Sequence, residues 1–143
     1  MKLAIIGSRN CPPIDIASHL KYIPDTIVSG GARGADTYAK EFAIKHNLKL
    51  IEFLPDYEKY GRKAPLVRNK LIVENCDCLI AFWDGKSRGT GHMISFAKRR
   101  GLDVSIFDFT TRNTFHEVHQ SASKTSPDNA ISTTDNKKTT FRR

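Results

Sequence analysis

The sequence predicts an α/β fold: a Rossmann-like, three-layer α/β/α domain around a parallel sheet of about five strands, followed by a disordered C-terminal tail. Three observations predict it. From Lys2 to Phe109, short apolar runs alternate with longer segments of helical period, as strands joined by crossover helices do. The run Cys78-Leu79-Ile80-Ala81-Phe82-Trp83 is almost continuously apolar, as a central parallel strand covered on both faces must be. Glycine-rich turns follow the first, second and fourth apolar runs, where the chain would pass from strand to helix.

Leu3 to Ile6 reads as the first strand, followed by a Gly7-Ser8-Arg9 turn and a helix near Ile14 to Tyr22, which Pro12-Pro13 would start. Thr26 to Val28 is a short second strand. It runs into Ser29-Gly30-Gly31-Ala32-Arg33-Gly34 and a helix from Ala35 to His46, with Ala35, Ala39, Phe42 and Ala43 on one side. Leu48 to Phe53 is the third strand, Pro55 to Gly61 a loop, and Lys63 to Asn75 a weakly amphipathic third helix. After the fourth strand, Asp84 to Gly91 opens a helix through Arg100, which Gly101 stops. Val104 to Phe109 is the last strand.

The folded domain is thus expected over residues 1 to 109. Residues 110 to 143, rich in Ser, Thr, Asn, Lys and Asp, read as a low-complexity basic tail. The net charge of +8 divides into +5 before residue 110 and +3 after it, which favours an anionic partner: a nucleotide, a nucleic acid or a phosphorylated metabolite. No membrane span and no signal peptide are visible, so a cytoplasmic protein is expected. Cys11, Cys76 and Cys78, three thiols in a chain of this kind, read as reduced packing residues.

In an open α/β sheet, ligands bind at the carboxyl ends of the strands, where helix N-termini present amides to anions. All three glycine-rich turns fall there. Glycine admits close backbone approach, hydroxyls add donors, and arginine offers a planar fork for phosphate or carboxylate. Each turn alone is equally well explained by tight packing of a helix on the sheet. Their coincidence is what points to a ligand. Asp36 has a plain alternative as a first-turn acid facing the helix dipole, and Trp83 can stack on a base or pack in the core. None of the turns is the dinucleotide fingerprint G-x-G-x-x-G or the P-loop, which disfavours nicotinamide dehydrogenases and P-loop kinases; no cofactor is expected. His92 reads as a surface residue, and His116 with His119 lacks metal-site spacing, so no metal is expected.

Ile5-Ile6-Gly7-Ser8-Arg9, then Ile27 to Asp36 with Ala39 and Ala43, then Leu66-Val67-Arg68-Asn69 resemble the small bacterial and phage proteins of the SLOG superfamily, specifically its YspA-related branch. The resemblance spans residues 1 to 109. It implies a Rossmann-like fold that binds nucleotides or nucleotide-derived ligands. The superfamily includes the Lonely Guy phosphoribohydrolases, a DNA-processing protein that loads recombinase on single strands, and ligand-sensing domains of bacterial defence systems.

The Lonely Guy enzymes place a catalytic Arg on the helix before the central strand and follow that strand with P-G-G-x-G-T-x-x-E, whose Glu is also catalytic. Arg68 falls on the matching helix, and Gly89-Thr90 matches the G-T pair. The Glu position is Met93, and the loop opens with Asp84-Gly85 and is about one residue longer. Methionine cannot act as acid, base or nucleophile. If glycosidic cleavage occurs, Arg68 and a substitute carboxylate, Asp84 first and Asp36 second, would carry it.

The expected site is therefore a nucleotide or nucleotide-derived small molecule bound by Gly7, Ser8, Arg9, Ser29, Gly30, Gly31, Arg33, Gly34, Asp36, Arg68, Asn69, Gly89, Thr90 and Gly91. N-glycosidic hydrolysis is the first alternative and single-stranded DNA binding the second. The DNA reading draws on the resemblance of Val28 to Asp36 and on the basic charge, although few aromatics interleave with the basic residues. A homodimer, as the Lonely Guy enzymes form, would suit so small a sheet.

Overall fold

The computed structural model describes residues 1–110 and the backbone of residues 117–119. In chain order the elements are β1 (Lys2–Gly7), β2 (Thr26–Ser29), α1 (Ala35–Lys45), β3 (Lys49–Glu52), α2 (Tyr57–Tyr60), α3 (Ala64–Glu74), β4 (Cys78–Trp83), α4 (Arg88–Arg99), β5 (Asp103–Asp108) and β6 (Glu117–His119). The sheet order is β3-β2-β1-β4-β5-β6. The first five strands are parallel, in the expected order 3-2-1-4-5. The strand sequence reverses between β1 and β4, which opens a crevice at their carboxyl ends.

Strict alternation along the central strands divides the core into two halves. Leu3, Ile5, Ile27, Ile80, Phe82 and Phe107 face α1, where Ala35, Ala39, Phe42 and Ala43 meet them. Ala4, Ile6, Val28, Leu79, Ala81, Val104 and Ile106 face α3 and α4, where Ile72, Val73, Met93, Ile94 and Ala97 meet them. Alanine dominates the buried stripe of α1, so that helix lies close on the sheet. Cys11 and Cys78 are buried and Cys76 half-buried; burial pushes the Cys11 and Cys76 thiols up to about 12. No helix among the described residues is long and apolar enough to cross a membrane.

Three expectations are corrected. The helix expected from Ile14 to Tyr22 is a single 3-10 turn, Ile16–His19, flanked by extended Asp15 and Leu20. Ser18 contributes to this, since both its N–H and its hydroxyl donate to Asp15 O, at 3.2 and 2.7 Å, a local bond that competes with helical continuation. Ile16, Ile14 and Leu20 still cover the α1 face of the sheet. The loop expected from Pro55 to Gly61 contains the four-residue helix α2 and enters a 3-10 turn, Gly61–Lys63. Glu117–His119, expected within a structureless tail, pairs antiparallel with β5 as a sixth strand. The rest of the tail beyond Thr110, with its expected disorder, lies outside the described residues.

Gly7 ends β1 opposite Phe82 of β4. A Cβ there would overlap the Phe82 carbonyl oxygen and lie 2.6 Å from Ala35 Cβ on α1. Strand, neighbouring strand and helix therefore meet with no room for a methyl group. Gly7→Ala is expected to lower stability by roughly 1–3 kcal/mol, the usual cost of overpacking; a urea melt with an unchanged midpoint would contradict the close approach.

Candidate functional site

The crevice between β1 and β4 is a cleft of about 450 Å³ at the carboxyl ends of β1, β2 and β4. Gly7, Ser8, Arg9 and Asn10 line it from the loop after β1. Gly30, Ala32 and Asp36 line it from the β2–α1 connection, Pro65, Arg68, Asn69 and Ile72 from α3, and Asp84, Ser87, Gly89, Thr90 and Met93 from the β4–α4 turn. Ile6, Ile72 and Met93 supply apolar lining. The charged groups are two arginines and two carboxylates.

Arg68 joins α3 to the β2 loop. Its Nη1 donates to Gly30 O at 2.8 Å and its Nε to Asn69 Oδ1 at 2.8 Å. A Cβ on Gly30 would lie 2.6 Å from Nη1, so a side chain there would have to displace the guanidinium. Asp36, 8% exposed, closes the same loop from the first turn of α1: its Oδ2 accepts from Ala32 N at 3.0 Å. Burial raises the Asp36 carboxyl above its usual range, while the Ala32 N–H, the Arg68 charge and the Gly30 N–H oppose the rise. Burial likewise lowers Arg68, against the pull of Asp36 and Tyr57.

The β4–α4 turn is built by Asp84. Its Oδ1 accepts from Lys86 N at 2.8 Å and Ser87 N at 2.7 Å, and its Oδ2 from the Ser87 hydroxyl at 2.9 Å. These donors hold its pKa down to about 2. The turn is tied to the β1 loop because Asp84 N donates to the buried Ser8 hydroxyl at 3.2 Å, and to β4 because Trp83 Nε1 donates to Ser87 O at 3.0 Å. The first turn of α4 is thereby fixed at the cleft, where helix geometry leaves its amides without intrahelical acceptors. A side chain on Gly89 would meet no protein atom within 4 Å. Packing does not demand that glycine; it leaves the helix start bare.

The structure thus brings Gly7, Ser8, Arg9, Gly30, Asp36, Arg68, Asn69, Asp84, Gly89 and Thr90 into one cleft wall. The remaining residues expected at the site shape that wall from behind or stand away from it. Ser29 is fully buried, and its Oγ accepts from Gly31 N at 3.4 Å. Gly34, with φ +74°, begins α1 against the backbone of Ser8 and Arg9. Gly31 turns the loop beneath Leu54, and Gly91 packs against the Trp83 ring. Arg33 is exposed and does not line the cleft. Trp83 is committed to packing and to Ser87, while His92 lies exposed beside Phe96. His116 lies outside the described residues, as does the side chain of His119.

Sequence reasoning missed Asn10, Pro65 and Ser87. The Asp84-x-x-Ser87 spacing, in which an Asp accepts from the backbone three residues on, was the readable signal for Ser87. Asn10 and Pro65 carry no such pattern.

A parallel sheet with this order, and a cleft at its reversal point walled by the Gly30–Asp36 loop and Arg68, define a Rossmann-like α/β protein. The family model of DNA recombination-mediator protein A matches residues 1–58, the stretch from β1 through β3 that builds the first two loops of the cleft. The Gene 61 protein of Mycobacterium phage D29 is 34% identical over 87 residues, covering 57% of this chain and 70% of that protein. The chain belongs to the family of that phage protein. No solved structure matches it.

Arg68→Met removes the countercharge of a buried carboxylate, so the folded-state pKa of Asp36 should climb further. A carboxyl with a raised folded pKa supports folding below its unfolded pKa and loses that support as pH rises through the folded value. The variant is therefore expected to lose about 2 kcal/mol at pH 8 and less at pH 4, with Asp36→Asn in the same chain flattening the difference. Urea melts at both pH values check this; an equal loss at both would contradict the coupling.

Proposed function

We propose that the cleft binds a nucleotide or nucleotide-derived small molecule and that the protein acts as a sensing or sequestering module. The observation that carries this reading is the convergence of Arg9, Arg68 and the bare first turn of α4 on one 450 Å³ cleft with an apolar side of Ile6, Ile72 and Met93. The helix start and the arginines suit a phosphate. The apolar side suits a sugar or base face. We place the chain in the SLOG superfamily, and within it in the YspA-related branch, on its Ile5–Arg9 and Ile27–Asp36 motifs.

Binding without turnover is favoured because Met93 occupies the position of the Lonely Guy glutamate and because both Asp84 oxygens are engaged in holding their own turn. One observation supports the hydrolytic alternative: Asp36 lines the cleft with a carboxyl whose pKa burial has raised, a property of general acids. It would act with Arg68. The single-strand reading is supported by the family match over residues 1–58.

One experiment separates the three. The protein is incubated with nucleoside monophosphates, ADP-ribose and a single-stranded oligonucleotide, while thermal stability and products are followed. A bound nucleotide recovered intact is expected, with about 2.7 kcal/mol of stabilisation at a hundred-fold excess over Kd, and Arg68→Met should remove most of it. Release of free base and ribose phosphate would establish hydrolysis instead. Salt-sensitive stabilisation by the oligonucleotide alone would favour DNA binding.

A further inference from the structure

Asp36 and Arg68 carry opposite charges in the same part of the cleft wall and do not pair. A Cβ on Gly30 would lie 2.6 Å from Arg68 Nη1 and 3.1 Å from Asp36 Oδ2, so the two groups face each other across the bare Cα of Gly30. Each is bonded instead to the backbone of the β2–α1 connection: Nη1 donates to Gly30 O at 2.8 Å, and Oδ2 accepts from Ala32 N at 3.0 Å. Among the described residues they form no ion pair with each other. A carboxylate as buried as Asp36, 8% exposed, is ordinarily paired when a cation stands this near.

Both side chains are held in this arrangement from behind. Asn69 Oδ1 accepts from Arg68 Nε at 2.8 Å, which fixes the plane of the guanidinium. Asp36 is anchored by its place in the first turn of α1 and by the Ala32 N–H. Nη1 has a further hydrogen beyond the one that Gly30 O takes, and a carboxylate oxygen accepts more than one bond. The space over Gly30 therefore has a donor on one side and an acceptor on the other, and Gly30, Asp36 and Arg68 all line the cleft.

A single ligand atom that satisfies both sides must itself donate and accept. A carbonyl or ionised phosphate oxygen only accepts, an amino group conjugated to a base ring donates, and a hydroxyl does both. In a nucleoside 5′-monophosphate the base, in its ordinary amino and keto form, carries no hydroxyl, whereas the ribose carries one at C2′ and one at C3′. We propose that Asp36 and Arg68 form a clamp for a ribose hydroxyl, which donates to Asp36 Oδ2 and accepts from Arg68 Nη1, so that the cleft selects ribonucleotides over their deoxy forms. This rests on the reading that the cleft takes a nucleotide. Removing that hydroxyl leaves both protein groups without their ligand bond, the situation in which a polar site discriminates most strongly.

The test titrates the full chain calorimetrically with the tightest-binding of the common ribonucleoside 5′-monophosphates and with its 2′-deoxy and 3′-deoxy forms. The series is repeated on Asp36→Ala once a thermal melt confirms that the variant folds. The parent should bind one of the deoxy forms roughly ten-fold more weakly than the ribonucleotide, or worse. In Asp36→Ala the ribonucleotide should fall to the level of that deoxy form, the two agreeing within about two-fold. Both deoxy forms binding the parent as tightly as the ribonucleotide would overturn the clamp while leaving the nucleotide site standing, and this arm decides even where Asp36→Ala does not fold. A preference for the ribonucleotide kept in full by Asp36→Ala would overturn the assignment to Asp36. A parent protein that binds no monophosphate would overturn both readings.

Discussion

Backbone meets backbone at the carboxyl ends of β1, β2 and β4, and the shape of the cleft follows from that close approach. At Gly7 there is no room for a methyl group between the Phe82 carbonyl and Ala35. At Gly34 the start of α1 lies against the Ser8 and Arg9 carbonyls, and at Gly30 the Arg68 guanidinium occupies the place of a side chain. These contacts let loops from three strands and one helix share a small volume. A side chain at Gly7 or Gly34 would meet backbone atoms, and one at Gly30 would displace the guanidinium from its bond to the Gly30 carbonyl.

Polar bonds then fix what the glycines permit. Asp36 ties the β2 loop to α1, Arg68 ties it to α3, and Asp84 with Ser8 ties the α4 turn to β1. Each tie uses a residue whose neighbours also line the cleft, so the wall is held before any ligand arrives. Preorganisation of this kind lowers the ordering cost of binding. It also divides labour between two carboxylates: Asp84, richly bonded and acidic, maintains a turn, while Asp36, buried and less acidic, faces the cleft with its proton affinity raised.

Much of this was legible in the sequence because it depends on local pattern. The apolar runs gave each parallel strand to within two residues, and Cys78–Trp83 announced the central strand by its continuity. Gly30, Asp36, Arg68 and Gly89-Thr90 were readable from motif and resemblance. What was not legible depends on competition or on tertiary neighbours. Ile14 to Tyr22 has helical period, but Ser18 bonds Asp15 O and the chain makes one 3-10 turn. Arg33 and Gly31 carry the same motif as Gly30, yet only the fold reveals that Arg33 stays in solvent.

The proposed nucleotide site lies at the carboxyl ends of the parallel strands, on the opposite edge of the sheet from their amino ends. The most direct measurement is an amide ¹⁵N–¹H titration with the tightest-binding nucleoside monophosphate. The account predicts saturable shifts concentrated at Gly30, Ala32, Gly89 and Thr90, with Asp25, Asp77 and Asp103 at the amino ends of β2, β4 and β5 unmoved. Shifts confined to those amino-end residues, or scattered weakly without saturation, would contradict it.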